Sequence, residues 1–407
     1  MFFQLGWRNI WRNRRRTLVI LTAVVIGVWS MIFLGALMRG VADQFVLNGI
    51  KTLTGHIQVH HPGYRDDPVV ENSMTEPLGV EAALAELLPH GSRWTPRVRV
   101  NAVVSNARHS TGVTLVGIDP PREAAVSFIG GAVTEGRYLN SDDPYGIVVG
   151  QALVDKFETT LDRKLVLMSQ DTEGEIASRA FRIIGIYRAE MEATEKQFIF
   201  ITMSAAQDVL KLQDGISEIA ILLPVHEAAD QVAGALRTEL PAAEYEVNTW
   251  QEILPMVTAI LKIYDFFIYI WFLVVFIAMA FGIVNTTLMA VFERIREFGL
   301  LKALGMKPRW IIQEVIIESI CLLILGMIIG NAAGFLSVLA LSANGINLSS
   351  FAAGTEYWGM SRVIYPAILG QDVIVANLVV FILGLLVSLY PAVKAARFTP
   401  VEALVHT

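Results

Sequence analysis

Few residues in this 407-residue chain are spaced for chemistry. His56, His60 and His61 come nearest to a metal-ligand cluster. His56 and His60 would share one face of a strand, but no Cys, Asp or Glu joins them at ligand spacing. They therefore read as exposed strand histidines. Asp66-Asp67 and Asp142-Asp143 each neighbour a proline or glycine and read as solvated turns. No G-x4-G-K-[ST] phosphate loop occurs, so the chain is not expected to hydrolyse ATP itself. Its single cysteine, Cys321, lies in an apolar run, and no intrachain disulfide is possible. The informative stretch is Glu293-Arg-Ile-Arg-Glu-Phe-Gly-Leu-Leu-Lys-Ala-Leu-Gly305. Gly305 suits a helix C′ position and Pro308 can open the next helix, which predicts a short helix between them. Ile295, Phe298, Leu301, Leu304 and Leu300 are too apolar for a free loop. Either a partner covers them or the lipid headgroup layer does.

The surrounding composition is that of a membrane protein. Hydrophobic residues make up 54% of the chain and charged ones only 17%, against about 25% charged in a soluble domain. Four stretches are long enough to span about 30 Å of hydrocarbon as helices: residues 17–38, 263–292, 315–341 and 372–393. The first follows basic residues like a signal peptide, but its apolar region is too long and no small-x-small site follows, so an uncleaved helix is expected.

The net charge of −6 becomes informative once it is divided by segment. Residues 1–16, 293–314 and 394–407 carry twelve basic residues against Glu293, Glu297, Glu314 and Glu402. Residues 39–262 carry 19 basic and 30 acidic residues, a net of −11. The positive-inside rule then places both termini and the 293–314 loop in the cytoplasm, with 39–262 and 342–371 outside.

In the opening segment Phe3, Trp7, Ile10 and Trp11 recur at helical spacing while Arg8, Arg12 and Arg15 take another face. Residues 1–16 thus read as an interfacial helix. Arg39–Lys51 and Trp250–Tyr264 prolong the apolar pattern of the adjoining spans, predicting two stalk helices, the second kinked at Pro255. Between them lies a mixed α/β pattern. Strands are expected at 55–60, 97–105, 113–118, 146–150, 164–168, 180–187, 197–202, 217–223 and 245–249. Helices are expected at 77–88, 151–158, 204–211 and 226–240. The order suggests two lobes, one inserted at about 120–214.

Within the spans, Asn285, Thr286, Thr287 and Asn331 read as interhelical hydrogen-bonding groups, and Glu314 and Glu318 lie near Arg309. Gly326, Gly330 and Gly334 form a G-x3-G-x3-G face for close helix packing, against a helix of the same or a second protomer. No ion relay crosses the spans, which argues against a secondary transporter.

The 293–305 stretch resembles the coupling helix of permeases in the MacB, LolC/LolE and FtsX superfamily of ABC transporters. Trp7-Arg-Asn-Ile-Trp-Arg-Asn-Arg-Arg-Arg-Thr17 is similar to that family's amino-terminal elbow. Tyr390-Pro-Ala-Val-Lys-Ala-Ala-Arg-Phe-Thr-Pro-Val-Glu-Ala-Leu404 is similar to its carboxy-terminal signature. Val116-Gly-Ile-Asp-Pro120 and Ile147-Val-Val-Gly150 resemble runs of its outer domain. The resemblance implies four transmembrane helices with a large mixed α/β periplasmic domain, built of Porter-like and Sabre-like lobes, between helices 1 and 2.

It also implies an inner-membrane, non-catalytic subunit that pairs with a second permease as a homo- or heterodimer and binds a cytoplasmic ABC ATPase dimer. That ATPase would hold the ATP and Mg, with no cofactor bound by this chain. Mechanotransmission would carry ATP-driven motion to the periplasmic domain. Membrane lipid and a periplasmic chaperone or adaptor are the further partners expected, and no nucleic acid. By position, Glu293, Arg294, Arg296, Glu297, Phe298, Gly299, Leu300, Leu301, Lys302, Leu304 and Gly305 would meet the ATPase, with Glu297 and Lys302 as the first polar contacts. Three functions follow: release of a lipoprotein or other amphiphile, MacB-like export of a peptide, toxin or drug, and FtsX-like control of a cell-wall hydrolase. MacB itself carries a fused ATPase domain, which this chain lacks. The outer block of over 200 residues is larger than the last function requires, and that function ranks lowest.

Overall fold

A computed structural model describes residues 12–75, 77–225, 228–347 and 363–399. The interfacial reading of Phe3, Trp7, Ile10 and Trp11 and the end of the carboxy-terminal signature lie outside these residues. The described chain forms two compact units, one centred on residues 44–259 and one built from the long helices.

Among the described residues, four helices are long and apolar enough to cross a membrane. They are α1 (Arg14–Gly49), followed beyond the α/β segment by α10 (Pro255–Glu293), α12 (Pro308–Ser342) and α13 (Gly370–Arg397). Their shared core takes Val24, Val28 and Met31 from α1 and Phe272, Phe276 and Met279 from α10. Leu322 and Leu323 come from α12, and Ala376 and Val380 from α13. Large apolar side chains such as Phe281, Leu339 and Ile374 face outward, as suits helices whose solvent is lipid.

The α/β unit contains α2 (Leu78–Leu87), β1 (Ile57–His60), β2 (Arg93–Ser105) and β3 (Ser110–Ile118). There follow α3 (Pro120–Glu123), α4 (Ile129–Ala132), β4 (Val133–Gly136), β5 (Gly146–Gly150), α5 (Gln151–Lys156), β6 (Lys164–Gln170) and β7 (Ile176–Tyr187). Then come α6 (Glu192–Gln197), β8 (Phe198–Thr202), α7 (Met203–Leu210), β9 (Glu218–Leu222), α8 (Ala229–Glu239), β10 (Glu246–Thr249) and α9 (Trp250–Ile253). Strands β1–β3 and β5–β10 and helices α2, α5, α7 and α8 lie where the hydrophobic pattern places them; α3, α4, β4 and α6 escaped it.

All ten strands join one sheet in the order β10-β1-β9-β2-β3-β8-β5-β7-β4, with β6 paired to β2 and β7. Strands from the two ends of the segment occupy one side, and those from 133–202 the other. The register explains the continuous apolar runs in β5 and β8. Ile147, Val149, Ile199 and Ile201 enter one core, while Val148 and Phe200 enter a second core on the opposite face. A strand buried on both faces cannot alternate with polar residues.

Helix α1 passes into a five-residue π-type turn, Ile50–Thr54, that ends in non-helical geometry, with Leu53 at φ +71°. A non-glycine residue there is strained, and its carbonyl is held firmly. Gln58 donates to it at 3.2 Å, and so does the guanidinium of Arg97. Arg97 is fully buried and donates to both oxygens of Glu123, at 2.8 and 2.9 Å, and to Glu218 at 3.1 Å.

Two expectations are corrected in this unit. His56 and His60 are buried rather than exposed. His56 Nδ1 accepts from the Leu223 N–H at 2.9 Å, and His60 lies beside Asn248 and Tyr64. Burial holds the His60 imidazole below its ordinary pKa. The second stalk helix is broken rather than kinked: α9 ends at Leu254 (φ −114°, ψ 63°) and α10 begins at Pro255, because proline disfavours helical geometry in the residue before it.

Candidate coupling site

Helix α10 ends at Glu293, and Arg294 leaves helical geometry (φ −106°, ψ 14°). A short helix α11 (Ile295–Ala303) follows. It closes in a Schellman motif, with the Gly305 N–H bonded to the Lys302 carbonyl and the Met306 N–H to the Leu301 carbonyl, both at 3.0 Å. That closure needs the left-handed Gly305, at φ +93°. Pro308 then occupies the first turn of α12.

One face of α11 packs against its own chain. Phe298 is buried with Val291, Ile311, Val315, Ala392 and Ala395, and Leu301 leans on the same cluster. Lys302 Nζ donates to the carbonyls of Ala396 at 2.9 Å and Phe398 at 2.6 Å. Carbonyls at a helix C-terminus lack intrahelical donors, and a cation there is favourable. The opposite face carries Arg296, Leu300, Ala303 and Leu304 at i, i+4, i+7 and i+8, all exposed. Leu300 is 56% and Leu304 77% exposed. The short helix is thus braced from behind and presents a small apolar face outward.

Several residues expected to face a partner turn inward. Arg294 is buried and donates to Glu314 at 2.6 Å, Glu297 at 3.0 Å and Glu318 at 3.4 Å. Phe298 and Gly299 are buried as well. Lys302 has its partners on α13. Glu297 accepts from Arg12 at 2.9 Å as well as from Arg294. Burial pushes the Glu297 carboxyl up, but these two guanidinium groups outweigh it and hold the carboxyl below the usual glutamate range. Glu293 accepts from Asn13 at 3.2 Å.

Glu314 and Glu318, placed near Arg309 by the sequence, bind Arg294 and Arg16. Arg16 lies 2.6 Å from Glu318, and both are buried. Arg16, Arg294, Glu314 and Glu318 therefore form a buried quartet with balanced charge, the condition under which such groups tolerate loss of water. The glycine face meets α1 of the same chain. A Cβ at Gly326, Gly330 or Gly334 would lie 2.8, 2.8 or 3.0 Å from the Cβ of Val24, Val28 or Ile32.

Two further polar contacts join the spans: the first escaped the sequence reading, and the second gives the interhelical role expected of Asn331 its partner. Arg39 donates to both oxygens of Asp372, at 2.7 and 3.1 Å, and also to Asp265. Asn331 and Asn377 exchange amide hydrogen bonds at 2.7 and 3.0 Å. The available signal was an arginine just past the first span, with an acid at the outer edge of the second and fourth.

A braced amphipathic helix between the second and third of four membrane spans, with an α/β domain between the first and second, defines a permease-type membrane subunit. A profile of the MacB-like periplasmic core domain matches residues 17–239, and one of the FtsX-like permease C-terminal matches residues 267–400. The chain belongs to the MacB/LolC/FtsX superfamily of ABC transporter permeases, multi-pass membrane proteins with a periplasmic-type domain.

Among its relatives, it is 22% identical over 277 residues to an uncharacterised ABC transporter permease of Methanocaldococcus jannaschii, covering 67% of this chain and 65% of the relative. It is 23% identical over 337 residues to the lipoprotein-releasing system transmembrane protein LolC of Xylella fastidiosa, covering 79% of each. It is 23% identical over 420 residues to the macrolide export ATP-binding/permease protein MacB of Escherichia coli, covering 98% of this chain but 60% of MacB. The chain thus spans less than two thirds of the archaeal relative and of MacB.

Proposed function

We propose that this chain is a non-catalytic permease subunit that receives ATP-driven motion from a separate cytoplasmic ATPase through α11 and relays it to its periplasmic domain. The observation that carries this reading is the outward face Arg296, Leu300, Ala303 and Leu304 on a helix braced from behind by Phe298 and Lys302. The exposed apolar side chains Leu300 and Leu304 suit a docked partner, and a push on a braced helix reaches the spans instead of deforming a loop. The charge pattern supports placing this helix and both termini on the cytoplasmic side of an inner membrane.

The cargo class favoured is a lipoprotein or other amphiphile, supported by the match to LolC. A second reading, export of a small molecule or peptide with an adaptor, draws on the alignment with MacB over 98% of this chain. Function of either kind involves a second permease, identical or related.

The test is co-purification from native membranes. The wild-type chain is expected to retain an ATPase, and Leu300→Asp with Leu304→Asp to lose at least ~90% of it, more than the ~1.4 kcal/mol that a tenfold change in affinity represents. Retention of the ATPase by the double variant would remove the coupling role from α11. Mass spectrometry of the wild-type complex distinguishes bound lipoprotein from an export adaptor.

A further inference from the structure

Charged contacts at the two ends of the membrane-spanning unit share one form. Arg39 of α1 is held by both oxygens of Asp372 on α13, whose side chain is 8% exposed, and also touches Asp265 of α10, which is 45% exposed. Arg16, at the other end of α1, is held by buried Glu318 of α12 at 2.6 Å and reaches Glu293 of α10 only at 3.8 Å. Glu293 is 39% exposed. Arg16 and Arg39 of α1 thus each have a buried partner on α12 or α13 and a more exposed partner on α10. Ion pairs that share solvent contribute little and are readily exchanged for water, whereas a buried pair is costly to break.

Packing between these ends divides in the same way. Stiff, β-branched Val24, Val28 and Ile32 of α1 sit over the glycines of α12. Gly40 lies so close to the segment before α13 that a Cβ would fall 2.0 Å from the Tyr365 carbonyl oxygen, and the Ala367 N–H bonds to the Ala36 carbonyl at 2.9 Å. Against α10, by contrast, the nearest side chains are the flexible Met279 over Gly27, with Val275 farther at 3.7 Å, and the flat Phe272 over Gly35. An open apolar groove of about 700 Å³ runs beside that seam, lined by Leu18, Ile26, Trp271 and Val274 among others. Helix α11 is fastened to α12 and α13 through Phe298 and Lys302, and Phe298 also packs on Val291 at the last turn of α10.

We infer that residues 14–43 of α1 move as one body with α11, α12 and α13, and that α10 is the helix that shifts against this body, with Asp265 and Glu293 as releasable contacts. This deepens the permease reading and rests on it only for what drives the shift.

The test uses the full chain in lipid nanodiscs with Cys321→Ala and two alternative cysteine pairs. Ala23→Cys with Gly282→Cys bridges α1 and α10, where the Cβ positions lie 3.6 Å apart, within disulfide range. Ile32→Cys with Gly334→Cys bridges α1 and α12, where they lie 3.0 Å apart and must part by about half an ångström for the bond to form. Disulfide closure under mild oxidant is followed by peptide mass spectrometry. Asp265→Asn with Glu293→Gln is expected to slow closure of the 23–282 pair roughly threefold, the scale of an exposed ion pair, and to leave the 32–334 pair unchanged. About 1 M salt, which shortens the screening length to ~3 Å, is expected to do the same without those two substitutions. Unchanged closure at 23–282, or equal slowing of both pairs, would overturn the inference. No ATPase is present, so failure here is distinct from failure of α11 to recruit one.

Discussion

At the scale of single residues, Arg97 shows what a buried charge requires. Its guanidinium has Glu123 on one side, Glu218 on another and the Leu53 carbonyl on a third. Replacing it with methionine removes the cation that holds buried Glu123 and leaves Glu218 with the part-exposed Arg99 at 3.5 Å. Arg97→Met is expected to cost ~3–5 kcal/mol in urea unfolding monitored by circular dichroism. Adding Glu123→Gln and Glu218→Gln should recover a substantial part of that loss. The node was not legible in the sequence, where Arg97 opens a predicted strand. Its partners lie 26 and 121 positions away, and no short-range pattern reports a pairing at that separation. The burial of His60 escaped for the same reason: β1 has strands on both sides, β10 and β9, which spacing within β1 cannot reveal. Gly305 was legible because a helix terminus is specified by its immediate neighbours.

At the scale of elements, the position of α11 could be read from its glycine and proline stops. Amphipathicity showed that the helix has an apolar side but could not divide that side into a part covered by its own chain and a part left outside. The division depends on Ala392 and Ala395 of α13, far along the sequence. Contact by Glu297 and Lys302 was expected from their position in the stretch; Lys302 binds carbonyls at the end of α13, while the Glu297 side chain stays 47% exposed. The glycine face is a simpler case, since small residues at every fourth position leave one packing groove and only its occupant is unknown. Gly330→Leu is expected to force α12 away from Val28 and the Val25 carbonyl. A thermal melt in detergent should show a loss of ~1–3 kcal/mol from overpacking, and Val28→Ala should restore part of it.

At the scale of the whole molecule, the four spans and the α/β order followed from hydropathy and period, which sum over many residues and tolerate local error. The strand order could not follow from them. Pairing β3 with β8 in parallel and β2 with β6 is a choice among topologies that the same hydrophobic pattern permits. That pairing has a measurable result. Residues 50–254, expressed alone, are expected to be soluble and to unfold in a single cooperative transition; a non-cooperative melt would show that the domain needs its membrane helices to fold.

The pairing of β1 with β10, Ile57 opposite Thr249, also has an evolutionary consequence. The two chain crossings into the α/β segment are stitched side by side by backbone hydrogen bonds, so the segment is closed at its base like a purse drawn shut. A closed insertion can be enlarged, trimmed or exchanged for another without disturbing the register of what it interrupts. Lineages sharing one membrane engine could thus acquire different working heads, each replaced as a cassette.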